Sequence, residues 1–356
     1  MISVALWFLF GLALLVLGAE ILVRGAVKIA ALLGISPLII GLTIVAFGTG
    51  APELVVSIFA ARSGETAIAL GNVVGSNIIN ILLILGLTSV IAPTAVHHQL
   101  VKIDVPIMIF ASVFVYGAAL YGAVTPAMGA ALAFLILAYT LFSILNARAE
   151  NGVLKEFESE FSTQDPFSWG EAVRCTVMIL LGIFLLGKGS EHVVGSATEI
   201  AVYFGLSQLL IGLTIVALGT SLPELATSLV AALRGKRDIA VGNIIGSNIF
   251  NIFAVLGIAA LVAPGGIPIP KQALNLDIPV MLACSIACLP IFFTKNIISR
   301  WEGALFLIYY GVYNAYLITD ALGHPWIAPY NMAFYGFLVP LTLLTIGINL
   351  FHHAKA

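Results

Sequence analysis

Charge is what this sequence has least of. Only 9% of its 356 residues are Asp, Glu, Lys or Arg, whereas 61% are hydrophobic and the mean hydropathy is +1.11. A soluble protein carries roughly 25% charged residues, so lipid rather than water is the solvent this chain is built for. The formal net charge of -2 excludes a strongly basic nucleic-acid face. Cys175, Cys284 and Cys288 lie in apolar stretches, and their odd number and separation support neither a disulfide framework nor a thiolate metal site. His97, His98, His192, His352 and His353 form no catalytic constellation. No phosphate-binding loop and no hydrolytic triad is present, which argues against an ATP-driven pump, an enzyme or a bound cofactor and leaves ion gradients as the energy source.

Apolar runs of membrane-spanning length fall near residues 4–30, 35–61, 68–91, 105–121 and 126–146, then 171–188, 199–233, 239–262, 276–293 and 302–318, with one more at 327–350. They are continuous and rich in Leu, Ile and Ala, unlike the short alternating strands of a barrel. The first run has no basic segment ahead of it and reads as a retained helix, not a cleaved signal. An all-α polytopic membrane fold is therefore predicted. Residues 1–146 form a first five-helix repeat, 147–170 a polar cytoplasmic linker, 171–320 an inverted second repeat, and 321–356 an extra C-terminal helix and tail.

Orientation follows from the basic residues. With the N-terminus outside, Arg24, Lys28, Lys102, Arg148, Lys155, Arg174, Arg234, Lys236, Arg237, Lys295, Arg300 and Lys355 fall on the inner side. Only Arg62, Lys188 and Lys271 fall outside, so the C-terminus is expected in the cytoplasm of a prokaryotic inner membrane. Five helices per repeat is an odd number, so the second copy enters the bilayer from the opposite face.

The duplication is explicit. Gly34 to Gly86 returns as Gly205 to Gly257 at an offset of 171 residues, with 31 of 53 positions identical. Each copy centres on a glutamate in an apolar setting, Glu53 in GTGAPEL and Glu224 in GTSLPEL. Pro52 and Pro223 cannot donate to a helical ladder, and the adjoining glycines weaken it further, so a pair of broken helices is predicted at mid-membrane. A kink alone does not explain why each carries an acid at a depth where charge is expensive.

The following helices each carry a polar stripe. Asn72, Ser76 and Asn80 are four apart, as are Asn243, Ser247 and Asn251, with Asn77 and Asn248 one step away. Amide and hydroxyl oxygens beside two carboxylates suit sodium or calcium better than zinc or copper. Two ionised glutamates balance one divalent cation or two monovalent charges, which makes competition for shared ligands the coupling device. Glu20 and Glu191 also correspond across the halves and are read as structural, with Arg24 a partner for Glu20. Asp104 and Asp277 precede prolines at helix starts and are read as N-terminal caps.

These paired GT(S/G)xPE and GSNIxN motifs closely resemble the two repeats of the calcium/cation antiporter superfamily, especially its prokaryotic sodium/calcium exchangers. The resemblance covers residues 4 to about 318. It implies calcium coordination by Glu53 and Glu224 with oxygens of Thr49 and Thr220, and Asn80 and Asn251 completing a central girdle. It further implies flanking sodium sites at Ser76, Ser247, Ser221 and the carbonyls of Ala46 and Ala217, and a peripheral helix of each repeat that slides during alternating access. Two departures stand out: Gly50 replaces a serine, and Asn251 is aspartate in some relatives. Calcium, sodium and membrane lipid are the expected partners. A single chain is the expected transport unit, with the last helix a candidate for oligomer contacts. Proton/calcium exchange, sodium-coupled magnesium exchange and a channel lined by the same girdle stay open as alternatives.

Overall fold

The computed structural model describes residues 2–147, 168–203, 217–293 and 297–321. The run at 327–350 and most of the polar linker lie outside the described residues.

The first half contains helices α1 (Ile2–Leu33), α2 (Pro37–Thr49), α3 (Ala51–Arg62), α4 (Thr66–Ile91), α5 (Leu100–Tyr121) and α6 (Pro126–Ala147). The second contains α7 (Trp169–Tyr203), α8 (Ala217–Thr220), α9 (Leu222–Leu233), α10 (Arg237–Val262), α11 (residues 273–293) and α12 (Arg300–Ala321). Among the described residues, six of these helices are individually long and apolar enough to cross a bilayer, and the α2–α3 pair, bent by 45°, makes a seventh span.

The apolar runs of the second half stop near 188 and resume near 199, but the helix itself does not break there: α7 continues to Tyr203. The polar residues Lys188, Ser190, Glu191 and His192, which end the apolar run, all lie inside this helix. Lys188 pairs with Glu191 one turn on at 2.7 Å, and the His192 ring stacks on Trp7 of α1 at 4.8 Å.

Two short antiparallel pairings, absent from the sequence reading, stitch the halves together. Strand β1 (Thr94–Ala95) pairs with β4 (Ile297–Ile298), and β2 (Ala123–Val124) pairs with β3 (Ile267–Pro268). The 171-residue offset carries β1 close to β3 and β2 close to β4, so each pairing joins non-equivalent loops and the two pairings are counterparts of each other, as a two-fold relation between the repeats requires.

Packing separates the helices into two groups. One apolar cluster gathers α4, α5, α6, α10, α11 and α12, with α4 and α10 the most enclosed. A second runs along the α1–α7 contact and reaches α2, the end of α9 and the start of α10. Lipid tails are as apolar as leucine, so close backbone approach rather than water exclusion holds such helices together. The α1–α7 contact shows it: a β-carbon on Gly182 would stand 2.8 Å from the Gly18 carbonyl oxygen and 2.7 Å from Leu22 Cβ. Leu6, Leu9, Val16, Phe134, Leu137, Leu180 and Phe184 instead point outward. An exposed apolar surface of that extent belongs in lipid.

Candidate cation site

The breaks between α2 and α3 and between α8 and α9 are built the same way. Gly50 leaves the helical region at φ -79°, ψ 1° and Ser221 at φ -91°, ψ 7°, each two residues before a proline. Pro52 and Pro223 lack the N–H that the carbonyls of Gly48 and Gly219 would receive in a continuous helix. The Gly219 carbonyl instead accepts the Ser190 hydroxyl at 2.6 Å. Glu53 and Glu224 fall in the first turn after each break, where the positive end of the helix dipole favours a carboxylate.

Both glutamates are buried, each 1% exposed, and close enough for Glu224 to act electrostatically on Glu53. Contacts cross between the halves: Ser221 stands beside the Glu53 carboxylate and Thr49 beside that of Glu224, without closing a well-formed hydrogen bond.

Asn72 and Asn243 frame the pair. The Asn72 amide donates to the Glu53 carbonyl at 3.2 Å and to Ser57 Oγ at 2.9 Å, while its oxygen accepts Thr220 Oγ1 of the other half at 3.3 Å. The Asn243 amide donates to the Glu224 carbonyl at 3.5 Å and Ser228 Oγ at 3.0 Å, and accepts Thr49 Oγ1 at 3.2 Å. Each asparagine thus ties its own glutamate's helix to the opposite repeat's break. The sequence reading placed Asn72 and Asn243 on a polar stripe but gave them no ligand-holding role, and it missed Ser57 and Ser228. Their signal was legible: each serine lies four residues after its glutamate, on the same helix face, in both copies.

The remaining predicted residues converge here in unequal ways. The Ser221 hydroxyl donates to Ser76 Oγ at 3.2 Å, and the Asn80 amide donates to Asn248 Oδ1 at 3.1 Å. Asn80 and Asn251 both open a wider, π-type turn, Asn80–Leu85 and Asn251–Leu256, a distortion frequent at functional sites. The Ala46 carbonyl accepts the Gly50 N–H at 3.0 Å and lies 3.5 Å from Thr49 Oγ1. Ala217 begins the described part of the second broken helix.

The chemically informative atoms are those left over. Both carboxylate oxygens of Glu53 and of Glu224, Oδ1 of Asn80 and of Asn251, and Oγ of Ser247 are buried without a hydrogen-bond partner. Orphaned buried polar atoms are rare, and an uncompensated buried ion costs several kcal/mol. Every one of these atoms is a hard oxygen. Among the described residues no group of three or more His, Cys, Asp or Glu comes together, so the donor set suits an alkali or alkaline-earth cation and not a transition metal.

Away from this cleft two expectations change. Asp104 has helical backbone angles and makes no capping bond; it is fully buried and accepts Tyr139 OH at 3.0 Å. Asp277 likewise accepts Tyr313 OH at 2.8 Å. Both aspartates tie the helix that carries them to the last helix of the same half. Glu20 meets Arg24 at 2.6 Å as expected and also Arg234, which caps the C-terminal end of α9, at 2.8 Å.

Comparison with known proteins follows the same lines. The sodium/calcium exchanger protein family profile matches residues 3–145 and 175–319. The inner membrane protein YrbG of Escherichia coli (strain K12) is 42% identical over 78% of this chain and 84% of its own length. The sodium/calcium exchanger MaX1 of Methanosarcina acetivorans is 34% identical over 85% of this chain and 95% of its own. Among solved structures, the sodium-calcium exchanger NCX_Mj soaked with 2.5 mM Na+ and 0.1 mM Ca2+ superposes with a TM-score of 0.75 at 31% identity, covering 90% of this chain and 98% of that one.

Proposed function

Because this chain belongs to the sodium/calcium exchanger family, we propose that it is a secondary antiporter of a prokaryotic inner membrane that exchanges calcium for sodium by alternating access. Glu53 and Glu224 are the shared ligands. The observation that carries this reading is the set of buried, unpartnered oxygens donated by both halves at one place.

The chemistry follows from the charge count. The two carboxylates contribute two negative charges, and the surrounding Asn80, Asn251, Thr49, Thr220, Ser76, Ser221 and Ser247 add oxygens without adding charge. One calcium ion or two sodium ions neutralise the pair. Closing the site around bare carboxylates confines two like charges in a dry environment, which is costly, so passage from one side to the other is favoured only with cargo aboard. Because both ion types need the same acids, they compete, and competition couples the two fluxes.

The rest of the arrangement is read in the same terms. Residues 1–146 and 171–320 act as the two inverted halves, joined by a cytoplasmic linker at 147–170, with 321–356 an addition outside the duplication. The N-terminus faces outward and the C-terminus the cytoplasm, as the distribution of basic residues supports. A single chain suffices for transport because both glutamates come from it. The α1–α7 contact lies in a cluster separate from the one that gathers α4, α5, α6, α11 and α12, which supports that pair as the moving part. The carbonyls of Ala46 and Ala217 lie on the broken helices and line the same path.

The test is calcium flux in proteoliposomes driven by an imposed sodium gradient, then by a proton gradient, with magnesium as competitor. Sodium-driven calcium uptake that magnesium does not displace is expected. Uptake driven equally by protons alone, or sustained calcium flux with no counterion gradient, would overturn the sodium-coupled reading.

A further inference from the structure

Helices α1 and α7 are related by the repeat, but their seat on the rest of the protein is not. Within the α1–α7 contact Gly11 meets Gly189 and Gly18 meets Gly182, two pairs that the 171-residue offset exchanges, so the contact itself is two-fold. Around it the symmetry ends. Helix α1 packs along α9, whose Pro223, Thr227 and Ala231 are buried, whereas among the described residues α7 does not pack along α3 in the same way. Thr227 is 0% exposed and its counterpart Val56 is 39% exposed. Pro52 and Ala60, the counterparts of Pro223 and Ala231, are half-buried. The molecule is therefore closed down at one end of the α1–α7 pair and looser at the other.

An ion pair crosses the closed end. Arg234, at the end of α9, forks onto Glu20 of α1, with Nε 2.9 Å from Oε2 and Nη2 2.8 Å from Oε1. The offset maps Glu20 onto Glu191 but Arg234 onto Ser63, which has no charge to offer. Arg62, one residue earlier, joins no ion pair among the described residues. Glu191 is met instead by Lys188 of its own helix at 2.7 Å, and a bond inside one helix is indifferent to where that helix sits. Glu20 has an internal partner too, Arg24 at 2.6 Å, so it keeps a neutralising base when Arg234 lets go. Release strands no carboxylate and costs only the fork between the helices.

We infer that Glu20 and Arg234 form a one-sided latch: the pair holds α1 against α9 and weights the protein toward the state closed at that end, and the opposite state has no equal pair to hold it. Both are positioning residues, acting on transport through the place of α1 and not by touching the cation. In the orientation proposed above the latched end is cytoplasmic, so the protein rests with its site shut to the cytoplasm. A largely exposed arginine fork weights such an equilibrium by about two- to fivefold, enough to bias it and too little to lock it. This inference rests on reading the α1–α7 pair as the moving part of an antiporter.

The test follows a cysteine placed under α1. Ala231→Cys is made in the full chain, and its rate of modification by a membrane-impermeant methanethiosulfonate is measured from the side on which Arg234 lies. Cys175, Cys284 and Cys288 are all buried, and the protein without the added cysteine gives their background. Adding Arg234→Gln or Glu20→Gln is expected to raise the rate about two- to fivefold, and both together no further, because each loses the same bond. Choline chloride, a salt whose cation is not cargo, provides a readout that needs no latch variant: raising it from low to high concentration is expected to speed modification with the latch intact and not in Arg234→Gln. Rates that neither substitution changes, effects of the two substitutions that add, or a rate indifferent to salt overturn the inference while sodium-driven calcium exchange still stands. Absence of that exchange in the unaltered protein overturns the antiport reading beneath it.

Discussion

Asn243→Ala tests whether the asparagines hold the ion ligands in place. The side chain engages three groups: Ser228 Oγ at 3.0 Å, Thr49 Oγ1 at 3.2 Å and, at the limit of a hydrogen bond, the Glu224 carbonyl at 3.5 Å. Counting only the first two, and taking about 0.6 kcal/mol for a polar bond between helices in a membrane, the loss is about 1.2 kcal/mol. If that loss falls on the ion-bound state, whose ligands the bonds orient, calcium affinity drops roughly eightfold. Removing the amide frees Thr49 to rotate away from Glu224 and unties α9 from the α2–α3 break. Isothermal titration of calcium into the purified variant measures the change, with thermal unfolding as the check that the protein is folded. The mirrored variant Asn72→Ala is expected to give a loss of similar size. Affinity within twofold of the unaltered protein, in a folded Asn243→Ala, would refute the positioning role.

Tyr139→Phe removes the donor from the fully buried Asp104, whose second oxygen already has no partner, and should cost about 1–3 kcal/mol in thermal stability. Tyr313→Phe, opposite the half-buried Asp277, should cost less, because water or headgroups reach that carboxylate; equal losses would count against burial as the cause. Glu20→Gln breaks an ion pair whose arginines are 62% and 58% exposed, so its effect on unfolding should stay below about 1 kcal/mol and shrink as salt is raised. A large, salt-independent destabilisation would show that this cluster helps hold the fold itself.

Much of this was legible before any coordinates. The solvent class follows from composition, and the inverted arrangement from an odd number of spans in a duplicated sequence. The central acids follow from their depth and repetition. What the sequence hid is local geometry. The apolar run stops at 188, yet an ion pair one turn apart and a stacked tryptophan let α7 run on through Lys188, Glu191 and His192. Asp104 before a proline mimics a cap, but its acceptor is spent on a tyrosine 35 residues later, a contact only folding creates. Ser57 and Ser228 looked like ordinary helix residues because their partner amides sit on a different helix.

Calcium titration into Glu53→Gln and Glu224→Gln, each shown to be folded, bears most directly on whether two acids from opposite halves hold one cargo. Each substitution alone is expected to abolish measurable calcium binding, since either removes one of the two charges that match the ion. Unaltered calcium affinity in either variant would contradict the account.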